Sequence, residues 1–515
     1  MDLHHRVRAA GAGDRGCGRC RRHRSPAAGR QQQVIGRRRL LQATAGLALS
    51  GCAGPSGGGN IETESSAGSL LRSTAKLPEP FTVPLPIPAV LKPTDRHNLT
   101  QRAAQVEILP GLKTQIWGYD GTFPGPTIES RRGQQIVVRH RNALAVPVVV
   151  HLHGGRTPAD SDGYPTDTIA PGRSRDYTYP LDQPATTLWY HDHTMDFTGP
   201  QVYRGLAGFH LIRDDVEDGL PLPRGEREIP LMIADRAFGE DGAFLYPSMD
   251  GMPGVTSEFM SGVLGDCILV NGAPWPVLEV SATRYRFRIL NASNARRYKL
   301  KLDPPAPIVQ IGSDLGLLAA PVEHDDLTIA QAERFDVVID FSRYDVGQSV
   351  TLTNRLGSGG TKNVMRFVVA RKGSDDSRIP DQLAEIEPLS RSQAVVQRQF
   401  VFARNGPSHH GTTTWAVNGQ AFAPDTILAE PALGSVELWK LRAQNVPHPI
   451  HIHLAPFQVQ DPGRTATGWK DTVDLSSGDE AEVLLRFDGY RGKYVFHCHN
   501  LEHEDMMMMA NFRVQ

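Results

Sequence analysis

Cysteine is scarce in this 515-residue chain: five residues, too few for a disulfide framework. Net charge is missing as well. Fifty-five basic residues meet 56 acidic ones, so no positive excess calls for a nucleic-acid partner. Beyond residue 53 no apolar run reaches membrane length, which takes roughly 20 residues. The body is therefore expected to be soluble and at most anchored, and to act as a monomer. Long amphipathic helical patterns are scarce too, which argues against a helical bundle.

Glycine and proline are plentiful, with 50 and 38 residues, well above the usual combined share of ~12%. Short runs rich in Val, Ile, Phe and Tyr alternate with Gly/Pro/Asp turns, as in 146–152, 285–290, 335–341 and 483–487. That pattern predicts an all-β chain of sandwiches or barrels. Residues 77–515 have the length of three such units at about 150 residues each. Two charged, proline-containing stretches, 213–227 and 372–392, have linker composition. They divide the body into 77–215, 228–372 and 393–515. Residues 77–93 read as a proline-rich strap laid along the first unit.

The beginning of the chain differs. Residues 1–39 hold eleven arginines against two aspartates. Arg37-Arg38-Arg39 precedes an apolar stretch too short to span a bilayer, the pattern of a Tat-type export signal. It ends in Leu49-Ser50-Gly51-Cys52, which resembles a lipobox whose cysteine carries lipid. Residues 1–52 are thus expected to be a lipoprotein signal, with 1–33 an over-extended gene start. Gly/Ser-rich 53–76 reads as a flexible tether. The expected location is extracytoplasmic or periplasmic, with a lipid anchor at Cys52.

Histidine carries the chemistry. Four His-x-His pairs occur: His151/His153, His191/His193, His451/His453 and His497/His499. Chance at this composition would supply roughly 0.7 pairs. All four lie in strand-like surroundings, where residues i and i+2 share a face. Each pair then aims two imidazoles at one place, as clustered metal ions require.

The last cluster is richer: His497-Cys498-His499, then His503 and Met508. If His497 and His499 face one way, Cys498 faces the other, so one strand serves two metal sites. His448 precedes His451 by three residues and can turn to the second site. One Cys, two His and a weak Met form the ligand set of a blue copper centre, which takes Cys498, His448, His503 and Met508. Zinc also accepts Cys and His, but one Cys among ten His with a spaced Met fits copper better. The eight remaining imidazoles suit a multinuclear copper cluster. The middle third contributes none, so it is expected to be a spacer and the cluster to lie where the first and last units meet.

With these motifs in view, the body resembles the three-domain multicopper oxidases. His-Leu-His-Gly (151–154), Trp-Tyr-His-Asp-His (189–193), His-Pro-Ile-His-Ile-His (448–453) and the segment 497–508 stand intact. Their wording, with Ser161-Asp162-Gly163, is most like bacterial spore-coat laccases and bilirubin oxidases. The resemblance implies three cupredoxin-like Greek-key β-sandwiches and four copper ions. It implies a type 1 site at His448, Cys498, His503 and Met508. Type 2 ligands would be His151 and His451. The type 3 pair would take His153, His191, His193, His453, His497 and His499, with their division between the two ions left open. Glu504 and Asp162 match acidic positions that supply protons beside the cluster.

The implied reaction is one-electron oxidation of phenols, aromatic amines or bilirubin-like molecules at an exposed edge, coupled to reduction of dioxygen to two waters in a buried cluster. Two alternatives stand beside it. A cuprous oxidase for copper tolerance would carry a methionine-rich insertion, and nothing between Met365 and Met506 resembles one. A non-enzymatic cell-division relative would have lost ligands that are all present here.

Overall fold

The computed structural model describes residues 66–249, 253–409, 412–460 and 468–515. The export signal, Cys52 and most of the tether lie outside them.

Alternation builds the sheets. In strand Ile136–Asn142, residues 136, 138, 140 and 142 are buried while Arg139 and Arg141 are exposed, because successive side chains leave a strand on opposite faces. The strands form three β-sandwiches in chain order. The first joins the sheet Val90–Leu91, Gly125–Arg131, Ala207–Arg213, Thr186–Asp192, Val150–His153 to the sheet Thr114–Tyr119, Arg96–Val106, Ile136–Asn142, Ser174–Tyr179. Leu99, Ile136, Val150 and Leu188 meet in the core between them. The second sandwich uses strands from Glu228–Phe238 to Asn363–Arg371, the third strands from Ala394–Ala403 to Met509–Val514.

Three stretches depart from the sequence-based expectation. The tether is not free to Lys76. Ser69–Leu71 pairs in parallel with Val263–Gly265, and Ser73 donates its N–H and hydroxyl to Asp266 at 2.8 and 2.5 Å. The strap meets the middle sandwich before the first. The N–H groups of Phe81 and Leu85 donate to Trp275 and Val277 carbonyls, each at 2.8 Å, and only Val90–Leu91 joins the first. Prolines 78, 80, 84, 86 and 88 carry no donor, so the few remaining N–H groups decide where the strap docks.

The third departure is 213–227, whose charge suggested a solvated linker. Asp214 caps the short helix Asp215–Gly219 by accepting the Glu217 N–H at 2.8 Å. Glu217 is buried and bonded to Arg286 at 2.6 Å and to Arg288. Arg213, Glu228 and Asp336 complete this ionic seam between the first two sandwiches. Arg213 and Glu217 are thus paired in the seam while Asp215, Asp218 and Glu226 stay at the surface, a division that composition alone does not reveal.

Candidate metal centres

Strand parity aims the histidines. Val150 and Leu152 point into the first core, so His151 and His153 point out of it. Leu188 and Tyr190 do the same for His191, and Trp189 packs on Met232 and Leu290 of the middle sandwich. In the third sandwich Ile450, Ile452, Phe496 and Cys498 belong to the core, which turns His451, His453, His497 and His499 outward. Register then matches the pairs: His151 lies opposite His191, and His451 opposite His497. All eight imidazoles are buried where the first and third sandwiches meet.

The ring nitrogens converge. His497 Nε2 lies 3.3 Å from both His193 Nε2 and His453 Nε2. His153, His191 and His499 form a second group, with ring centroids 5.1–5.7 Å apart. His151 and His451 stack on His453 and His153 at 3.8 and 3.6 Å.

The outer nitrogens are held. Nδ1–H groups of His151, His191, His451 and His497 donate to the carbonyls of Asp162, Asp192, Asp471 and Cys498 at 2.6–3.1 Å. That of His453 donates to Asp162 Oδ2 at 2.7 Å. His193 and His497 present Nδ1 to the two Glu504 oxygens at 3.2 and 3.0 Å. Inside, Nε2 of His151, His191 and His451 and both nitrogens of His499 have no hydrogen-bond partner. His153 is reversed. Its Nε2 lies 3.2 Å from Asp471 Oδ1 and its Nδ1 is the unpartnered atom.

Buried polar atoms normally find partners, and a cluster of lone pairs without them is what metal ions would satisfy. Burial also drives the imidazoles to the neutral, ligating form: His191 falls to about 3, His193 to about 4, and His151, His153, His451, His453 and His499 well below their usual value. The donor set fits copper.

The carboxylates beside the cluster differ. Burial raises Asp162 well above the usual range. Burial would also raise Glu504, but His193 and His497 outweigh it and hold Glu504 down to about 2. Thr198 donates to Glu504 at 2.8 Å.

The second centre lies on the core face of the third sandwich. Cys498 Sγ is 3.4 Å from His448 Nδ1 and 3.5 Å from His503 Nδ1, and the two Nδ1 atoms are 3.1 Å apart. The Asn500 N–H donates to the sulfur at 3.4 Å, and the Asn500 side chain caps helix Leu501–Asp505, which carries His503. Met508 is buried in the same core, and its carbonyl accepts the Cys498 N–H at 3.1 Å. Burial pushes the Cys498 thiol well up, so a bound cation would be needed to favour the thiolate.

The expected exposed edge is absent. His448, Cys498, His503 and Met508 are all 0% exposed. Trp415 covers His503, with ring centroids 3.9 Å apart and planes tilted by 35°. The spacer reading of the middle sandwich also needs enlarging. Its Arg334 is fully buried and donates to Asp471 Oδ1 at 2.8 Å and to Oδ2 at 2.5 Å. The same guanidinium reaches carbonyls of Thr187, Asp314 and Ala332 at 2.9–3.0 Å. Sequence reasoning missed Trp415, Asp471 and Arg334. None stands in a histidine motif, and no spacing in the sequence marks Asp471 within Trp-Lys-Asp-Thr-Val.

Two family models described as multicopper oxidase match residues 100–217 and 392–515. A laccase of Bacillus stratosphericus is 39% identical over 84% of this chain and 98% of its own. The bilirubin oxidase of Albifimbria verrucaria is 38% identical over 88% and 84%. Among solved structures, a laccase from Pediococcus acidilactici superposes with a TM-score of 0.77 at 32% identity, covering 86% of this chain and 96% of that one.

Proposed function

The chain belongs to the multicopper oxidases and is a laccase-like enzyme, and from this premise we propose that it binds four copper ions and couples one-electron oxidation of phenols, aromatic amines or bilirubin-like molecules to reduction of dioxygen to water. The single observation that carries the reading is the covalent link Cys498–His497/His499, which joins a Cys/His/His/Met set to eight converging imidazoles. Copper supplies one-electron acceptance at the first set and four-electron delivery to dioxygen at the second.

The chain's own residues do the rest. His448, Cys498, His503 and Met508 would hold the type 1 ion in a fully buried core. The backbone of 497–499 would be the covalent path for electrons between the two sets. His193, His453 and His497 would share one type 3 ion, as their 3.3 Å Nε2 contacts support. His153, His191 and His499 would take the other, His153 through Nδ1. His151 and His451 would hold the type 2 ion. Asp162, hydrogen-bonded to His453 and raised by burial, would hold a proton beside the place where oxygen is reduced. Glu504, with its oxygens 3.2 and 3.0 Å from the His193 and His497 Nδ1 atoms and held down to about 2, would stand there as a carboxylate that takes protons up and passes them on. The four protons that reaction consumes must arrive through such groups, since ligated imidazoles cannot give theirs up.

Oxygen uptake by copper-loaded protein with bilirubin, a methoxyphenol and Cu(I) side by side tests the reading. Fast uptake with either organic donor and slow uptake with Cu(I) is expected. The reverse order would make it a cuprous oxidase.

A further inference from the structure

A reductant cannot touch any ligand of the Cys498 set, since all four are fully buried. Its electron has to cross whatever covers them. Over His503 that cover is the Trp415 indole, its centroid 3.9 Å away with the planes tilted by 35°, and itself 1% exposed. Trp415 is fixed on both sides. Its Nε1–H donates to the Met260 carbonyl of the middle sandwich at 3.0 Å, and it leads directly into strand Ala416–Val417, paired with Phe402 and Ala403.

Outside the indole lies Arg404. Its guanidinium carbon is 5.9 Å from the Trp415 ring centroid. Its side-chain contacts among the described residues are the Thr413 carbonyl at 3.3 Å and the Met260 sulfur at 3.5 Å. Neither is a carboxylate, and Arg404 is exposed. Most other arginines at domain seams are paired with acids, as Arg213, Arg286, Arg297 and Arg334 are. Arg404, beside the aromatic cover of the Cys498 set, has no carboxylate partner among the described residues.

We propose that the reductant docks against Arg404, that its electron enters through the Trp415 indole into His503, and that the guanidinium makes anionic aromatic donors the preferred substrates. This rests on the oxidase reading and narrows its substrate class. A phenolic donor loses one electron to the indole path and its hydroxyl proton to water, leaving a phenoxyl radical. Trp415 ends each transfer as it began. Four donors and one dioxygen thus give four radicals and two waters. The neighbouring cation disfavours positive charge on the indole, so the ring acts as a bridge and not as a resting place for the hole. The attraction acts over about a Debye length, ~8–10 Å at ordinary ionic strength, enough to reach a sulfonate or carboxylate at the surface.

The test uses two methoxyphenols alike except for a sulfonate or a trimethylammonium substituent. Anaerobic stopped-flow bleaching of the blue band by wild type should favour the sulfonate about tenfold at low salt, the scale of electrostatic steering, and the preference should shrink at high salt. Arg404→Glu should invert it. Trp415→Leu should slow bleaching by both donors at least tenfold while the type 1 EPR signal stays unchanged. A second arm needs no copper: a sulfonated methoxybenzene without a hydroxyl should quench tryptophan fluorescence of the metal-free protein, with about tenfold weaker binding in Arg404→Gln. Equal binding in that variant, or an unaltered charge preference in Arg404→Glu, overturns the docking face. Bleaching at the wild-type rate or faster in Trp415→Leu overturns the indole path. A wild type with no blue band at all would instead bring down the oxidase reading, and the metal-free arm would still judge the docking face.

Discussion

His497 and Cys498 are neighbours in the chain yet serve different centres. His497 faces His451 across the strand pair and points out of the sandwich, while Cys498 faces Ile450 and points into it. The period-two geometry of a single strand separates a core-lined mononuclear set from an interdomain cluster. It leaves them joined by covalent bonds and by the hydrogen bond from His497 Nδ1–H to the Cys498 carbonyl.

That arrangement predicts the spectrum. Copper-loaded protein is expected to be intensely blue from thiolate-to-copper charge transfer. Cys498→Ser should lose the colour and donor oxidation while its circular dichroism stays that of the wild type. An intact blue band in that variant would place the centre elsewhere.

Proton supply is separable from electron uptake. Glu504→Gln and Asp162→Asn should keep the copper content, the blue colour and rapid reduction by substrate. Reoxidation by dioxygen should slow at least tenfold, within the usual 10²–10⁴-fold reach of general acids or somewhat below it. Stopped-flow traces with unchanged reoxidation in both variants would remove these carboxylates from proton delivery.

Arg334 should hold the cluster from the domain that gives it no ligand. Arg334→Met leaves Asp471 buried and uncompensated, a change that costs about 3–5 kcal/mol where a buried pair loses one partner. The expected variant unfolds at lower temperature and binds less than the full copper complement, with the blue band retained. Wild-type stoichiometry and thermal midpoint together would show that Asp471 needs no clamp.

Acid should unfold the copper-free protein. Imidazoles such as His191, His193 and His448, lowered to about 3–4 by burial, stay neutral when folded and take up protons when unfolded below pH ~6.5. Their stabilising contribution is present above the unfolded value and is lost as pH falls towards the folded one. Buried acids raised to about 7, Asp192, Glu333 and Glu502, act in the opposite sense, being stabilising below ~4 and losing that contribution as pH rises through 7. The lowered histidines outnumber them. The thermal midpoint is therefore expected to drop between pH 7 and 5, and a flat or rising midpoint would contradict the neutral cluster.

The leader carries a proposal of its own, outside the described residues. Cys52 is expected to bear lipid after export, and Cys52→Ser to release active enzyme from membranes or leave the precursor unprocessed. Wild-type protein recovered wholly soluble, with another N-terminus, would refute the anchor.

What sequence alone determined is local. The His-x-His spacing and the alternation around it dictate which side chains share a face, because strand geometry is set by the backbone over two or three residues. Ligand identities, the opposite aim of Cys498 and the β class follow from that. Tertiary structure decided which imidazoles converge, since the His193–His497 contact joins residues 304 positions apart. It also decided that Arg213 and Glu217 lie paired in a seam, that the strap docks first on the middle sandwich, and that Trp415 closes the edge of His503. These depend on how three sandwiches pack. A buried ion pair and a solvated one have the same composition, and an indole over a histidine leaves no period in the chain.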